Sequence, residues 1–340
     1  MKSGLKSLEF IKPLNNFTFV YEHNPDWKCK TTKSFPPDPI TLLIVVKSAV
    51  CNYHFRSAIR NTWGYESRFA DVNIRTVFVL GLCPPINDNK NSMQSQCPIR
   101  PKSQILSTKS TSWLQSLSSP VNESYDCASL IELEHKTFND LVQIQFIDSY
   151  YNNTLKTISS LHWVTTHCSN VPFILFVDDD YYVSVKNLLK YTRNFLHHVS
   201  NDDDDDGSEE RVQFDGRLYM GYVFPNSRPM RHWTSKWYIK LDDYPFSRYP
   251  PYVTGGCFLV NNRTLTDLYY ASLYTKRFKF DDVYLGILAK KMEINLIHNE
   301  QIHFHKLTGD YFNVIASHGF DMDPDEMIKL WNEQKTRGQA

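Results

Sequence analysis

The sequence predicts an α/β fold built on a mostly parallel sheet flanked by helices. Three observations predict it. Residues 40–46, 76–80 and 173–177 are short, apolar, β-branched runs, the pattern of strands buried on both faces. Helix-like segments separate them, giving the strand–helix–strand alternation of a parallel sheet. The third run passes straight into Asp178, Asp179 and Asp180, at the carboxyl end of a strand, where open α/β sheets hold their ligands.

Taken in order, residues 1–39 are polar and carry prolines at 36, 37 and 39, and read as an N-terminal arm or stem. A single catalytic domain is expected over 40–335. The first strand, 40–46, is followed by a helix over 55–63, and the second strand ends at Gly81. Residues 83–122 are rich in Ser, Asn, Gln, Pro and Lys without hydrophobic period, and read as a surface insertion. A helix over 129–140, a strand over 142–146 and a helix over 151–166 lead to the third buried strand. The five aspartates 202–206, within a second expected insertion at 202–210, read as a solvated loop, since they lack the ligand spacing and turn glycine of a calcium loop. Residues 217–252 are dense in aromatic and basic side chains, among them Arg231, Trp233, Trp237, Tyr244, Tyr249 and Tyr252, and read either as an irregular packed loop or as the wall of an acceptor pocket. Gly255 and Gly256 permit a tight turn or a close backbone approach. A strand at 257–260, a helix from Thr264, a helix at 284–289, short strands at 294–297 and 301–305, and a closing helix at 323–332 complete the chain.

Bulk properties exclude several functions. With 37 basic and 37 acidic residues the chain has no net charge, so the basic stripe of a nucleic-acid binder is not expected. Aromatics make up 14% of the 340 residues, which suits stacking on the apolar faces of sugars. None of the seven cysteines forms a CxxC pair, which argues against zinc ribbons and thioredoxin-type sites. Their spread fits one to three disulfides with at least one free thiol, or reduced thiols in a cytosolic protein. Sequons at Asn16, Asn122, Asn152 and Asn262 lean towards a secretory compartment. The longest apolar stretch, 40–50, is about half a bilayer span and is broken by Lys47. The first 13 residues lack the apolar centre of a signal peptide. A soluble protein is expected, or one whose anchor is missing from this sequence.

Two acidic constellations carry chemistry. Three consecutive carboxylates repel unless a cation or hydrogen bonds compensate. Asp178, Asp179 and Asp180 therefore read either as a solvated acidic turn or, favoured by the apolar run before them, as ligands of a hard divalent cation, Mn²⁺ or Mg²⁺, of the kind that clamps a diphosphate. His303 and His305 alternate on a short strand, and one of them could complete the metal shell. Asp281 and Asp282 precede an apolar helix. They could be ordinary capping residues, or one of them could be the base that a single-displacement sugar transfer requires.

The segments Arg56-Ser-Ala-Ile-Arg60-Asn-Thr-Trp63, Phe78-Val-Leu-Gly81, Asp148-Ser-Tyr-Tyr-Asn-Asn-Thr-Leu-Lys156-Thr157, Asp178-Asp-Asp180, Tyr249-Pro-Pro-Tyr-Val-Thr-Gly-Gly-Cys-Phe258 and Phe280-Asp-Asp-Val-Tyr-Leu-Gly286 resemble, in this order, the motif series of the β-1,3-glycosyltransferases. Within that family, Ser235-Lys-Trp-Tyr238 and the tail segments 314–320 and 327–333 resemble the β-1,3-N-acetylglucosaminyltransferases of glycolipids. The resemblance implies a GT-A fold, inverting chemistry and Mn²⁺. It implies that Asp180 ligates the metal and that Asp178 and Asp179 hold the ribose and donor-sugar side. It further implies Asp282 as base, Arg56, Arg60 and Trp63 at the nucleotide end, and His305 or His303 as the metal histidine. The implied donor is UDP-GlcNAc, with UDP-galactose as alternative, and the implied acceptor is a mannose- or galactose-terminated glycolipid or glycoprotein glycan. Many relatives have Glu then Asp where this chain has Asp281 and Asp282. The family is typically anchored, type II, in the Golgi membrane. An inactive glycan-binding relative and a metal phosphohydrolase are the rival readings. Against the first stands the intact pair Asp180 and Asp282, and against the second the lack of an Asp-x-Asp-Gly nucleophile sequence.

Overall fold

The computed structural model describes residues 12–30, 39–85, 96–98, 124–201, 215–319 and 323–340. Its strands are β1 (Tyr21–His23), β2 (Leu42–Lys47), β3 (Ile74–Leu82), β4 (Gln96–Pro98), β5 (Ser124–Asp126), β6 (Leu141–Ile147), β7 (Phe173–Asp178), β8 (Tyr181–Val183), β9 (Tyr219–Phe224), β10 (Tyr252–Asn261), β11 (Ile297–His298), β12 (Ile302–His303) and β13 (Ala316–His318). Its helices are α1 (Tyr53–Asn61), α2 (Cys127–Phe138), α3 (Asn153–His167), α4 (Val185–Asn201), α5 (Asn262–Leu273), α6 (Asp281–Lys291) and α7 (Pro324–Thr336).

The central sheet runs β1-β6-β3-β2-β7-β10-β9-β11. Its middle, β6-β3-β2-β7, is parallel throughout. Beyond β7 the antiparallel pairs with β10 and β9 make it mixed. The three runs expected as doubly buried strands are its centre. In β2, Leu42, Ile44 and Val46 pack with α1, α4 and α7 on one face, while Leu43 and Val45 pack with α3, α5 and α6 on the other. This is the two-residue alternation of a strand covered on both sides.

Local chemistry sets the boundaries. The Asp126 carboxylate accepts the Ser129 amide at 2.8 Å and caps α2, which ends in left-handed Asn139. Asp323 caps α7 in the same way, with Pro324 in its first turn. A second small sheet, β12-β13-β8, sets the end of β13 beside the turn that follows β7.

Several expectations need correction. Within the expected arm, the described residues 12–30 are packed: β1 pairs with β6, Phe17, Phe19 and Tyr21 pack against the α3 and α5 side of the core, and Cys29 is bonded to Cys168. β1 adds to the open edge of β6 through backbone hydrogen bonds, which composition alone does not reveal. Gly255 and Gly256 form no turn. They lie inside β10, whose register against β9 shifts between Val253 and Phe258, as a bulge does. A Cβ on Gly256 would fall 2.4 Å from the Tyr181 hydroxyl, so close approach is what requires glycine there. Within the aromatic stretch, residues 219–224 form β9 and the rest is irregular. Cys51–Cys97 and Cys83–Cys127 complete three disulfides, with Cys257 buried and free. The aspartates 202–206 and most of residues 83–122 lie outside the described residues.

Candidate active site

The carboxyl ends of β2 and β7 are in register, Lys47 opposite Asp178. This places a buried lysine beside the first carboxylate of the triplet. Lys47 Nζ lies 3.1 Å from Asp178 Oδ1, 3.0 Å from Asp281 Oδ2 and 2.9 Å from the Gly255 carbonyl oxygen. Thr157 donates a second hydrogen bond to Asp281 Oδ2 at 2.8 Å. Asp281 and Asp282 form the first turn of α6 and have no side-chain cap before them. A cavity of about 560 Å³ opens at this point, with Lys47, Asp178, Gly255, Asp281 and Asp282 in its wall. Trp237, Tyr249 and Tyr252 from the aromatic stretch also line it.

The two neighbouring carboxylates at the head of α6 differ in character. Burial pushes Asp281 up, but the Lys47 charge and the Thr157 hydroxyl outweigh it and hold the group below the ordinary carboxylate value. Asp282 is pushed up to about 7, first by burial and then by the charge of Asp281, against the pull of the Val283 amide at 2.7 Å. Asp178 is likewise pushed up to about 7 by burial, Asp180 and Asp281, with Lys47 opposing. Perturbed acids clustered in a cleft make this a candidate chemical site.

The triplet divides three ways. Asp178 faces the cavity. Asp179 points inward, accepting from Ser48 Oγ at 2.5 Å and Asn52 Nδ2 at 3.0 Å, and burial pushes it up to about 6. It ties the loop after β2 to the loop after β7, which corrects the expectation that it faces the donor. Asp180 Oδ2 sits 3.1 Å from His318 Nε2, while Asp180 Oδ1 is buried with no hydrogen-bond partner.

The structure brings His318, rather than the expected His305 or His303, to Asp180. β13 pairs antiparallel with β8, placing His318 opposite Tyr181, one residue from Asp180. His305 is exposed, its ring packed on His303 and Phe304. An orphaned carboxylate oxygen and an imidazole nitrogen at hydrogen-bond distance from its partner oxygen suit a divalent cation. Cys51, Cys97 and Cys127, which also lie close together, are held in disulfides and offer no such donors.

Arg56, Arg60 and Trp63 do not line the cavity, contrary to the expectation that they meet the nucleotide. Arg56 is fully buried, forked on Glu134 at 2.8 and 2.6 Å, and it also donates to the Ala49 and Val50 carbonyls at 2.6 and 3.0 Å. Arg60 is forked on Asp140 and reaches Glu134. The Trp63 indole donates to Met327 Sδ, packing α1 against α7. Of the three, Arg56 alone bonds to the loop after β2, and Arg60 holds the same Glu134 carboxylate. Lys47 is the functional residue that sequence reasoning passed over. A lysine ending a strand that is otherwise wholly buried was its signal.

Such a site, with a strand-end acidic pocket, an adjacent buried acid near neutrality and an aromatic wall, has the parts for acid–base chemistry on a polar substrate, and the comparisons give its class. The family model described as galactosyltransferase matches residues 118–300. The Drosophila melanogaster beta-1,3-galactosyltransferase brn is 38% identical over 327 residues, covering 95% of this chain and 82% of that protein. Human beta-1,3-galactosyltransferase 1 is 28% identical over 329 residues, covering 96% of this chain and 82% of its own. Among solved structures, the galactosyltransferase LgtC, in complex with donor and acceptor sugar analogues, superposes with a TM-score of 0.36 at 10% identity, over 88% of this chain and all of that one, too distant to bear on the chemistry. The chain belongs to the galactosyltransferase family and is a β-1,3-glycosyltransferase built on a mixed, mostly parallel sheet flanked by helices.

Proposed function

We propose that the chain transfers N-acetylglucosamine, with inversion, from UDP-GlcNAc to the 3-hydroxyl of a mannose- or galactose-terminated glycan on a lipid or protein. The observation that carries the transferase chemistry is Asp282. It is a cavity-lining carboxylate outside the metal-type cluster, poised near neutrality. A base tuned close to the working pH takes a hydroxyl proton most effectively.

In this reading Asp282 accepts the proton of the acceptor hydroxyl as its oxygen attacks the anomeric carbon and UDP departs. Asp178 orients the donor through the carboxylate oxygen not bound to Lys47. Trp237, Tyr249 and Tyr252 offer faces on which acceptor sugars stack. Asp180 and His318 would hold a divalent cation, Mn²⁺ by family resemblance, which when bound neutralises charge on the diphosphate leaving group. A pure glycan-binding relative would have no use for a carboxylate with the properties of Asp282.

UDP-galactose is the alternative donor, favoured by the names of the relatives. The choice of GlcNAc rests on residues 235–238 and the tail segments. Three disulfides support a lumenal, oxidising location such as the Golgi. Among the described residues, no helix is long and apolar enough to cross a membrane.

The test is UDP release with Mn²⁺ and then with EDTA, across UDP-GlcNAc, UDP-Gal, UDP-GalNAc and UDP-Glc, with and without β-mannoside and β-galactoside acceptors. Metal-dependent, acceptor-stimulated release from UDP-GlcNAc is expected. Release from UDP-Gal alone would reverse the donor assignment, and no release from any donor would favour the glycan-binding relative.

A further inference from the structure

We propose that Lys47 is a positioning residue of the transfer reaction, setting the distance between the donor-side carboxylate Asp178 and the base Asp282 without touching either substrate. The proposal rests on the reading of Asp282 as base.

An ammonium has three N–H donors and no acceptor. Lys47 directs them at three acceptors within 3.1 Å, on the Gly255 carbonyl, Asp281 and Asp178. None remains for a phosphate or a sugar, although Lys47 lies in the cavity wall. Its three partners come from three different elements. Asp178 ends β7, Gly255 lies in the irregular part of β10, and Asp281 begins α6. The lysine is therefore the point at which these elements are tied together.

The tie is tight. A Cβ on Gly255 would lie 3.3 Å from both Asp281 Oδ1 and Asp282 Cβ, so β10 and the head of α6 are already in close contact. Thr157 on α3 fixes Asp281 from the other side. Asp282 is bound to Asp281 by one peptide bond, so whatever holds Asp281 sets the origin from which the base reaches into the cavity.

Charge acts in the same direction. Asp178 and Asp281 are two acids sharing one buried cation. Without it they would repel across the site, and β7 and α6 would be pushed apart at the place where donor and acceptor must meet. Misplacement of about 1 Å between reacting groups costs about 100-fold in rate.

The experiment compares the full chain with Lys47→Met, Lys47→Arg and Asp282→Asn, measuring kcat, KM for both substrates, and Tm. In Lys47→Met, kcat is expected to fall about 100-fold while both KM values stay within about threefold, because no substrate contact is lost. Lys47→Arg keeps the charge with a different fork and is expected to fall between Lys47→Met and the unaltered enzyme in kcat. A folded Lys47→Met with kcat near the unaltered value overturns the proposal, as does a loss confined to donor KM, which would make Lys47 a donor-binding group. If Lys47→Met does not fold, Lys47→Arg decides: a lowered kcat at unchanged KM and Tm supports the tie, and an unaltered kcat overturns it. Asp282→Asn separates the two ideas. Its retention of kcat would remove the base itself, whereas an inactive Asp282→Asn beside a fully active Lys47→Met would remove only the positioning role.

Discussion

His318 Nε2 lies 3.1 Å from Asp180 Oδ2 across 138 residues of sequence, and the other oxygen of the same carboxylate is buried without a partner. An orphaned buried carboxylate oxygen is costly unless something fills the gap. Cation binding there predicts that His318→Ala raises the Mn²⁺ concentration for half-maximal activity by about 10- to 100-fold, the usual effect of losing a metal-site histidine or its support. His305→Ala is expected to leave that concentration unchanged. Titrating activity against Mn²⁺ in both variants checks the assignment, and the reverse ranking would restore His305.

The rate should depend on pH through Asp282. Burial and the charge of Asp281 push its carboxyl up to about 7, with Lys47 and the Val283 amide pulling the other way. The base works only when ionised, so kcat/KM is expected to rise with pH and reach half its plateau near pH 7. The phenols of Tyr150, Tyr249 and Tyr252, which sense the same charge, are all raised and stay neutral through this range. A kcat/KM profile flat between about pH 5.5 and 8.5 would be incompatible with a carboxylate base of this character.

Much of the fold was legible because burial leaves a pattern in the chain. The runs at 40–46, 76–80 and 173–177 are apolar on both faces, and that is what the centre of a parallel sheet needs. The site was legible where chemistry overrides pattern. Three acids have no reason to end a buried strand, and Asp178 duly meets Asp282 in one cavity. What escaped reading depends on long-range pairing. His318 joins Asp180 only because β13 pairs with β8, and no local period reports that register. Arg56 and Arg60 stand in a motif, but a motif does not say which way a side chain points. Glu134 and Asp140, which turn them inward, lie more than 70 residues away. Lys47 was visible as an interruption, and its meaning needed the register that sets it against Asp178.

Adjacent substitutions in α6 should move stability in opposite directions. The folded value for Asp282 is raised, so its ionisation opposes folding, and stability is lost as pH rises through about 7. Asp282→Asn removes that penalty and is expected to raise Tm at pH 8 by about 2–5 °C, with a smaller gain at pH 5, where only part of the penalty has built up. The folded value for Asp281 is lowered, so its contribution is present above the unfolded value and lost as pH falls through the folded one. At pH 8, Asp281→Asn strips a partner from buried Lys47 and is expected to lower Tm. Thermal melts of the two variants at both pH values check this, and a shift of the same sign for both would contradict the contrast.

Arg56 offers a test of the support beneath the site. Its guanidinium and the Glu134 carboxylate are both wholly buried, and Arg60 bridges the same carboxylate to Asp140. Burial pushes Glu134 up, yet the two arginines outweigh it and hold the group below its ordinary value. Arg56→Met therefore leaves a buried acid with half its compensation, and such a loss costs about 3–5 kcal/mol. It also releases the Ala49 and Val50 carbonyls and the Ser48 hydroxyl, 3.0 Å from Nη1, which in turn steadies Asp179. Urea denaturation should show the full loss in Arg56→Met. Arg56→Met combined with Glu134→Leu should recover part of it, since no lone charge is left, while kcat stays depressed because the loop after β2 is still untethered. Recovery of kcat along with stability would mean that the network serves folding alone and that the loop needs no support from Arg56.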